Sequence, residues 1–276
     1  MKTSGIITLC SDFGSALGYA AQMKGVILSI NPQARLIDID HNIPAQNIAC
    51  AALTLEQSAP YFADGSVHLA VIDPGVGSAR RALIVESDRA YFVGPDNGLF
   101  DFVRRSGQLR ALYEINSAAV AESGCSATFH GRDIFAPAAA RLSLGEEPQN
   151  FAARIKAESL LELERLQNRE SADELEGRII CADTFGNLLT SITHAELERL
   201  LLRNPGAKVV LHCGDILMPL LTTYSQCLPG SFMTYVGSGG RLEIAVNCGS
   251  ALKCSGAAPG DAVRLELLHE RDCGAS

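Results

Sequence analysis

Apolar residues in the first half of the chain switch between two periods. GIITLC (5–10), ARLIDI (34–39) and SVHLAVID (66–73) are short, nearly continuous apolar runs, as in strands buried on both faces. Between them, YAAQMKGVILSI (19–30) repeats its apolar positions at helical spacing and stops at Asn31-Pro32. Residues 45–60 place Ala, Leu and Ile on one helical face. ALIVES (82–87) and AYFVG (90–94) read as a hairpin, and DIFAPAAARLSL (133–144) as a helix kinked at its proline. Strand–helix–strand alternation predicts an α/β fold, a mostly parallel sheet with helices on both faces.

The pattern changes near residue 150. KAESLLELERLQNRESADELEG (156–177) is charged and carries no strand signal, so it reads as a connector with room for one helical stretch. Beyond it, RIICAD, NLLTSI, AKVVLHC, SFMTYVG, RLEIAVN and AVRLELL are short strands punctuated by Gly and Pro, interrupted by the single helical run HAELERLLLRN (194–204). This predicts a small β-barrel or sandwich. The expected organisation is an α/β catalytic domain over 1–155, a connector over 156–176 and a β-barrel substrate-binding domain over 177–276.

Charge narrows the partners. Lys plus Arg is 23 and Asp plus Glu is 31, a balance of −8, and an acidic chain is a poor match for nucleic-acid phosphates. No stretch approaches the ~20 apolar residues that cross a bilayer, so no membrane partner is expected. The opening MKTSGIITLCSDFG lacks a secretory apolar region, and the expectation is a soluble cytoplasmic protein. Nine cysteines, at 10, 50, 125, 181, 213, 227, 248, 254 and 273, show neither C-x-x-C nor Cys/His zinc spacing. They read as reduced thiols, several of them small buried hydrophobes, and no metal is expected. The absence of Trp argues against a sugar cleft built on indole rings.

Ligands of open α/β sheets bind at the carboxyl ends of strands. Three acids fall there: Asp12 before Phe13-Gly14, Asp73 before Pro74-Gly75-Val76-Gly77, and Asp96 in VGPDNGLF. Each reads equally as a helix N-cap or turn aspartate, Asp96 most of all. DPGVG matches neither a Walker nor a Rossmann loop, and an Asp leading the turn would repel phosphate, so a neutral or cationic ligand fits better. FHGRDIFAP groups His130, Arg132 and Asp133 at a loop entering a helix, with Asp133 equally an N-cap. ADTFGNLLTSI places Asp183, Phe185 and Asn187 in a hairpin that reads as a ligand loop or an ordinary turn.

Seven segments occur in one order over residues 5 to 268: TLCSDFG, DIDHNIPAQNI, VIDPGVGSARR, VGPDNGLF, TFHGRDIFAPAAA, DTFGNLLTSI and GSGGRLEIAVNCGSA. Together they resemble the S-adenosylmethionine (SAM) hydrolases that form adenosine, also called SAM hydroxide adenosyltransferases, relatives of fluorinase and chlorinase. The resemblance implies hydrolysis of SAM to adenosine and L-methionine without metal or cofactor. It implies a homotrimer with sites at subunit interfaces and a catalytic trio at Asp73, Arg80 and His130. It further implies that Asp12 accepts from the ribose hydroxyls, Asp183 meets the methionine ammonium, and Phe185 and Asn187 line the nucleoside. Ser238 would hold the carboxylate, and the backbone at Val246 and Cys248 would read the adenine edge. Two positions depart from the halogenases: Gly239 replaces the arginine after the serine, and Gly131 replaces a serine. Asp73 stands where halogenases carry an aromatic residue, which favours water over halide. The alternatives are a halide-dependent SAM halogenase and a SAM or nucleoside sensor without turnover.

Overall fold

A computed structural model describes residues 1–121, 124–163 and 168–268. Cys273 and part of the expected connector lie outside them. The chain divides into two compact units, Met1–Glu164 and Arg165–Ser276.

The first unit is built on β1 (Ile6–Ser11), β2 (Arg35–Asp40), β3 (Ser66–Val71), β4 (Ala82–Ser87), β5 (Ala90–Pro95), β6 (Leu109–Ile115) and β7 (Ala152–Ile155). Their order is β2-β1-β3-β5-β4-β6-β7. β2, β1, β3 and β5 run parallel, and the sheet turns antiparallel from β4 outward. ALIVES and AYFVG form the expected hairpin. β6 and β7 were not signalled in the sequence. β7 is the far edge strand and β6 lies between it and β4; Arg110, Glu114 and Arg154 blur the period there.

The two-residue side-chain period sorts the parallel strands into two faces. Ile7, Leu9, Val67, Leu69 and Val93 share a core with α1 (Tyr19–Ile30) and the later α5. The alternate residues Thr8, His68 and Phe92 face the other way. Phe92 packs against Phe100 and Phe102 beside α3 (Asp101–Arg105), while α2 (Ile48–Ser58) contributes buried Leu53 and Leu55. A single turn of helix, α4 (Ser117–Val120), follows β6.

The expected kink at Pro137 is displaced. Gly131–Phe135 forms a π-turn, and α5 (Ala136–Ser143) starts after it with proline in its first turn, where a missing N–H costs nothing. Extra turns of this kind recur at functional sites, and this one begins next to His130.

His68 is fully buried between Phe62 and Phe92, with Nδ1 2.8 Å from Thr8 Oγ1. Burial pushes its pKa down to about 4 from an ordinary 6.5. Between those values the unfolded chain binds a proton that the native state refuses, so stability falls as pH drops through this window. The loss is roughly 3 kcal/mol in full. Denaturant midpoints measured across the window are expected to show this slope, and His68→Phe to flatten it.

The second unit contains β8 (Arg169–Glu170), β9 (Glu174–Ala182), β10 (Leu188–Thr193), β11 (Lys208–Cys213), β12 (Ile216–Pro219), β13 (Phe232–Val236), β14 (Arg241–Val246) and β15 (Ala262–Leu268). The path β12-β11-β15-β9-β10-β14-β13 is antiparallel, with β8 beside β9. A bridge between Leu220 and Thr234 draws its two ends together into a nearly closed barrel. α6 (His194–Arg203) starts at a capping box in which Thr193 and Glu196 satisfy each other's free amides. A short α7 (Ala251–Ser255) follows β14. β8 and the start of β9 occupy part of the charged stretch that showed no strand signal, because their alternate residues are Glu and Arg on an exposed face.

Candidate active site

Asp73 leaves the end of β3 in a pinned turn. The Ile72 carbonyl accepts from Asn97 Nδ2 at 2.8 Å, and the Asp73 carbonyl accepts from the Val76 amide at 3.2 Å. Ser78 Oγ donates to the Gly75 carbonyl at 2.7 Å and accepts from the Arg80 amide at 3.2 Å, folding DPGVGSARR back on itself. Gly77 has φ +79°, and a Cβ there would stand 2.6 Å from the Ala127 carbonyl oxygen. Only glycine allows the loop before Arg80 to approach the loop before His130 so closely.

The result is one hydrogen-bonded chain. Arg80 Nε donates to both Asp73 oxygens at 2.9 and 3.0 Å, and Nη2 donates to Oδ2 at 2.5 Å. The same Nη2 lies 2.6 Å from His130 Nδ1. Asp73 and Arg80 are 6% and 10% exposed, and the guanidinium sits 5.0 Å from the Phe135 ring centre. Arginine can only donate, so Nδ1 of His130 carries a lone pair and the ring proton resides on Nε2. Partial burial, aided by the Arg80 charge, holds the His130 pKa below its ordinary value and keeps the ring neutral.

Asp12, Asp73 and His130 line one open cleft of about 140 Å³, together with Phe13, Gln46 and Phe129. Asp12 caps no helix, since α1 starts from Gly18; its Oδ2 accepts from the Gln46 amide at 2.9 Å. Gln46 holds φ +63°, which turns that amide toward the carboxylate. The other sequence candidates in this unit are engaged elsewhere. Asp96 is buried against Arg81 and the Leu161 amide. Asp133 is not an N-cap; it accepts from Arg132 and from the Ser126 amide.

In the second unit, Asp183 Oδ1 accepts from the Phe185 and Asn187 amides at 2.9 and 2.8 Å, and Oδ2 accepts from Asn187 Nδ2 at 2.8 Å. The turn is thus internally braced. It leaves Phe185 78% exposed and Asn187 buried. Ser238 is exposed in the turn between β13 and β14. Val246 is buried at the end of β14, and Cys248 is exposed with φ +57°. Cys10, Cys50, Cys181 and Cys213 are buried, and desolvation pushes the Cys10 thiol up to about 12. Among the described residues, no group of three or more His, Cys, Asp or Glu is arranged to hold a metal ion. No helix among them is long and apolar enough to cross a membrane.

Residues 7–152 match the model of the SAM hydroxide adenosyltransferase N-terminal domain, and residues 177–264 match that of its C-terminal domain. The chain belongs to the SAM hydroxide adenosyltransferase family. Similar members include (R)-S-adenosyl-L-methionine hydrolases from Thermus thermophilus, 39% identical over 92% of this chain and 97% of the relative, and from Salinispora tropica, 36% identical over 94% and 97%. A fluorinase from Nocardia brasiliensis is 26% identical over 89% and 91%. Among solved structures, an uncharacterized conserved protein from Thermotoga maritima superposes with TM-score 0.84 at 30% identity, covering 94% of this chain and 99% of that one.

The sequence reading did not single out Ser11, His41, Gln46 or Asn97. All four lie inside segments that carry the family resemblance, TLCSDFG, DIDHNIPAQNI and VGPDNGLF, but nothing in their local spacing marks them. Their roles come from backbone amides and turns that bring them beside Asp12 and Asp73.

Proposed function

We propose that this family member hydrolyses SAM to adenosine and L-methionine, with Asp73, Arg80 and His130 as its catalytic residues. The carrying observation is the Asp73–Arg80–His130 hydrogen-bond chain on the same cleft as Asp12. In the reaction, a water oxygen bonds to C5′ while the C5′–S bond breaks and its electron pair neutralises the sulfonium. Methionine departs as a neutral thioether, so no acid is needed for the leaving group. One proton is released per turnover.

The His130–Arg80 contact supports the following roles. Its lone pair is committed to Arg80, so it serves as an Nε2–H donor that orients the water, and Asp73 is the acceptor for the water's proton. Arg80 makes Asp73 a weak base, which suffices because the oxygen becomes strongly acidic once it bonds to carbon. Fixing the nucleophile in line supplies the entropic part of the acceleration, and positioned proton transfer commonly adds about 10²–10⁴.

Asp12 has two carboxylate oxygens to match the vicinal ribose diol. Asp183 Oδ2 keeps acceptor capacity for the ammonium, with Phe185 and Asn187 beside the nucleoside. Ser238 binds the carboxylate, and the backbone at Val246 and Cys248 reads the adenine edge. The hydrolase relatives are named for the (R) sulfonium epimer, and we assign the same epimer here, in a homotrimer.

Incubation with each sulfonium epimer, followed by chromatography, is expected to yield equimolar adenosine and methionine, faster from the (R) form. A 5′-halogenated nucleoside in chloride buffer, or adenosine binding without turnover, would refute the hydrolytic reading. Solution mass measurement tests the trimer. Because protonating Nδ1 of His130 would expel the Arg80 hydrogen bond, the acid limb of kcat is expected below the ordinary histidine value of 6.5. A limb above it would place the ring in a different role.

A further inference from the structure

A second polar chain lies behind Asp12. Ser11 Oγ is 2.7 Å from His41 Nδ1, His41 Nε2 is 3.1 Å from Asp38 Oδ1, and Asp38 Oδ2 accepts from Lys24 Nζ at 2.6 Å. The order Ser–His–Asp is that of a nucleophilic triad, but Ser11 has no accessible surface, and its oxygen already accepts from the Phe13 amide at 3.4 Å. A nucleophile must reach substrate, and this hydroxyl cannot.

What the chain does is hold a turn. Asp38 accepts from Nε2–H, so Nδ1 of His41 is the lone pair that receives the Ser11 hydroxyl proton. Ser11 then uses its oxygen for the Phe13 amide, across the Asp12 backbone. On the far side of the turn, the Gly14 amide donates to the carbonyl of the same His41 at 2.7 Å. His41 therefore binds the segment 11–14 through both its ring and its backbone, while the Gln46 amide fixes one Asp12 oxygen.

We infer that His41, with Ser11, is a positioning residue that sets the orientation of the Asp12 carboxylate toward the ribose diol. This rests on the reading of Asp12 given above. The chain reaches Lys24 on α1, so the turn is referenced to strands β1 and β2 and to a helix rather than to a free loop.

The test compares SAM with its 2′-deoxyribose analogue. The native chain is expected to disfavour the analogue by about 10–100-fold in kcat/KM, the cost of leaving a charged acceptor without its donor. His41→Ala and Ser11→Ala are each expected to shrink that ratio by about 3–10-fold and to raise KM for SAM, while kcat stays within about threefold. His41→Gln, which can still accept from one hydroxyl and donate to Asp38, is expected to retain most of the discrimination. The double variant is expected to be no worse than His41→Ala, because the two residues act as one unit. An unchanged ratio in folded His41→Ala and Ser11→Ala overturns the inference and leaves the Asp12 reading standing. A native chain that does not discriminate overturns both, and one that forms no adenosine from SAM overturns the hydrolytic reading itself.

Discussion

Asp73→Asn is expected to lower kcat by about 10²–10⁴ while leaving KM for SAM within a few-fold. The substitution is nearly isosteric, and one amide oxygen still accepts from Arg80, so the loop keeps its anchor. What disappears is the negative acceptor for the water's proton. Asp12, which is assigned to ribose binding, sits at the end of a different strand and is untouched. Adenosine formation followed at saturating SAM, with binding measured separately, separates the two effects. A variant that turns over within about threefold of the native chain would show that Asp73 takes no part in moving the proton. Parallel loss of binding and turnover would instead give Asp73 a purely architectural role.

Asp96→Ala is expected to act on stability. Asp96 is 3% exposed; its Oδ2 accepts from Arg81 Nε at 2.8 Å and also from Nη2, and Oδ1 accepts from the Leu161 amide at 3.1 Å. Arg81 continues to Ser159 through Nη1 and Oγ at 3.0 Å. The aspartate thus ties the end of β5 to the segment that closes the first unit. Removing it strands a guanidinium and a backbone amide. One-sided deletion of a buried pair costs about 3–5 kcal/mol, and the lower end applies because Arg81 retains some contact with water. Denaturant unfolding should show the loss directly, with activity per folded molecule little altered. A change below about 1 kcal/mol would mean that water replaces the carboxylate without penalty.

Asp73 and Asp96 show how far the sequence could go. Both follow apolar strands and precede Gly-containing turns, which is why both were candidates. Local spacing separates them poorly, since either pattern makes a strand end and a turn. Their fates differ because Arg80 turns toward His130 and the adjacent Arg81 turns toward Asp96 and Ser159. The family resemblance singles out Asp73 and Arg80, but the contrast between two consecutive arginines is a property of where β4 begins.

The hydrophobic period alone predicted the strands of the parallel half, helix α1 residue for residue, the β4–β5 hairpin and, in the second unit, β9, β10, β11, β13, β14 and β15. It did so because burial on one or both faces is written directly into which positions are apolar. It missed β6 to β8, where charged residues interrupt the apolar positions, and the four-residue β12, and it placed at Pro137 a distortion that the chain makes as a π-turn before it. Tertiary structure alone decided the tautomer of His130, the brace from His41 to the Asp12 turn, and the partner of each arginine. Those depend on angles and distances between groups up to 78 residues apart, such as Arg81 and Ser159, and a linear pattern of side-chain types does not encode them.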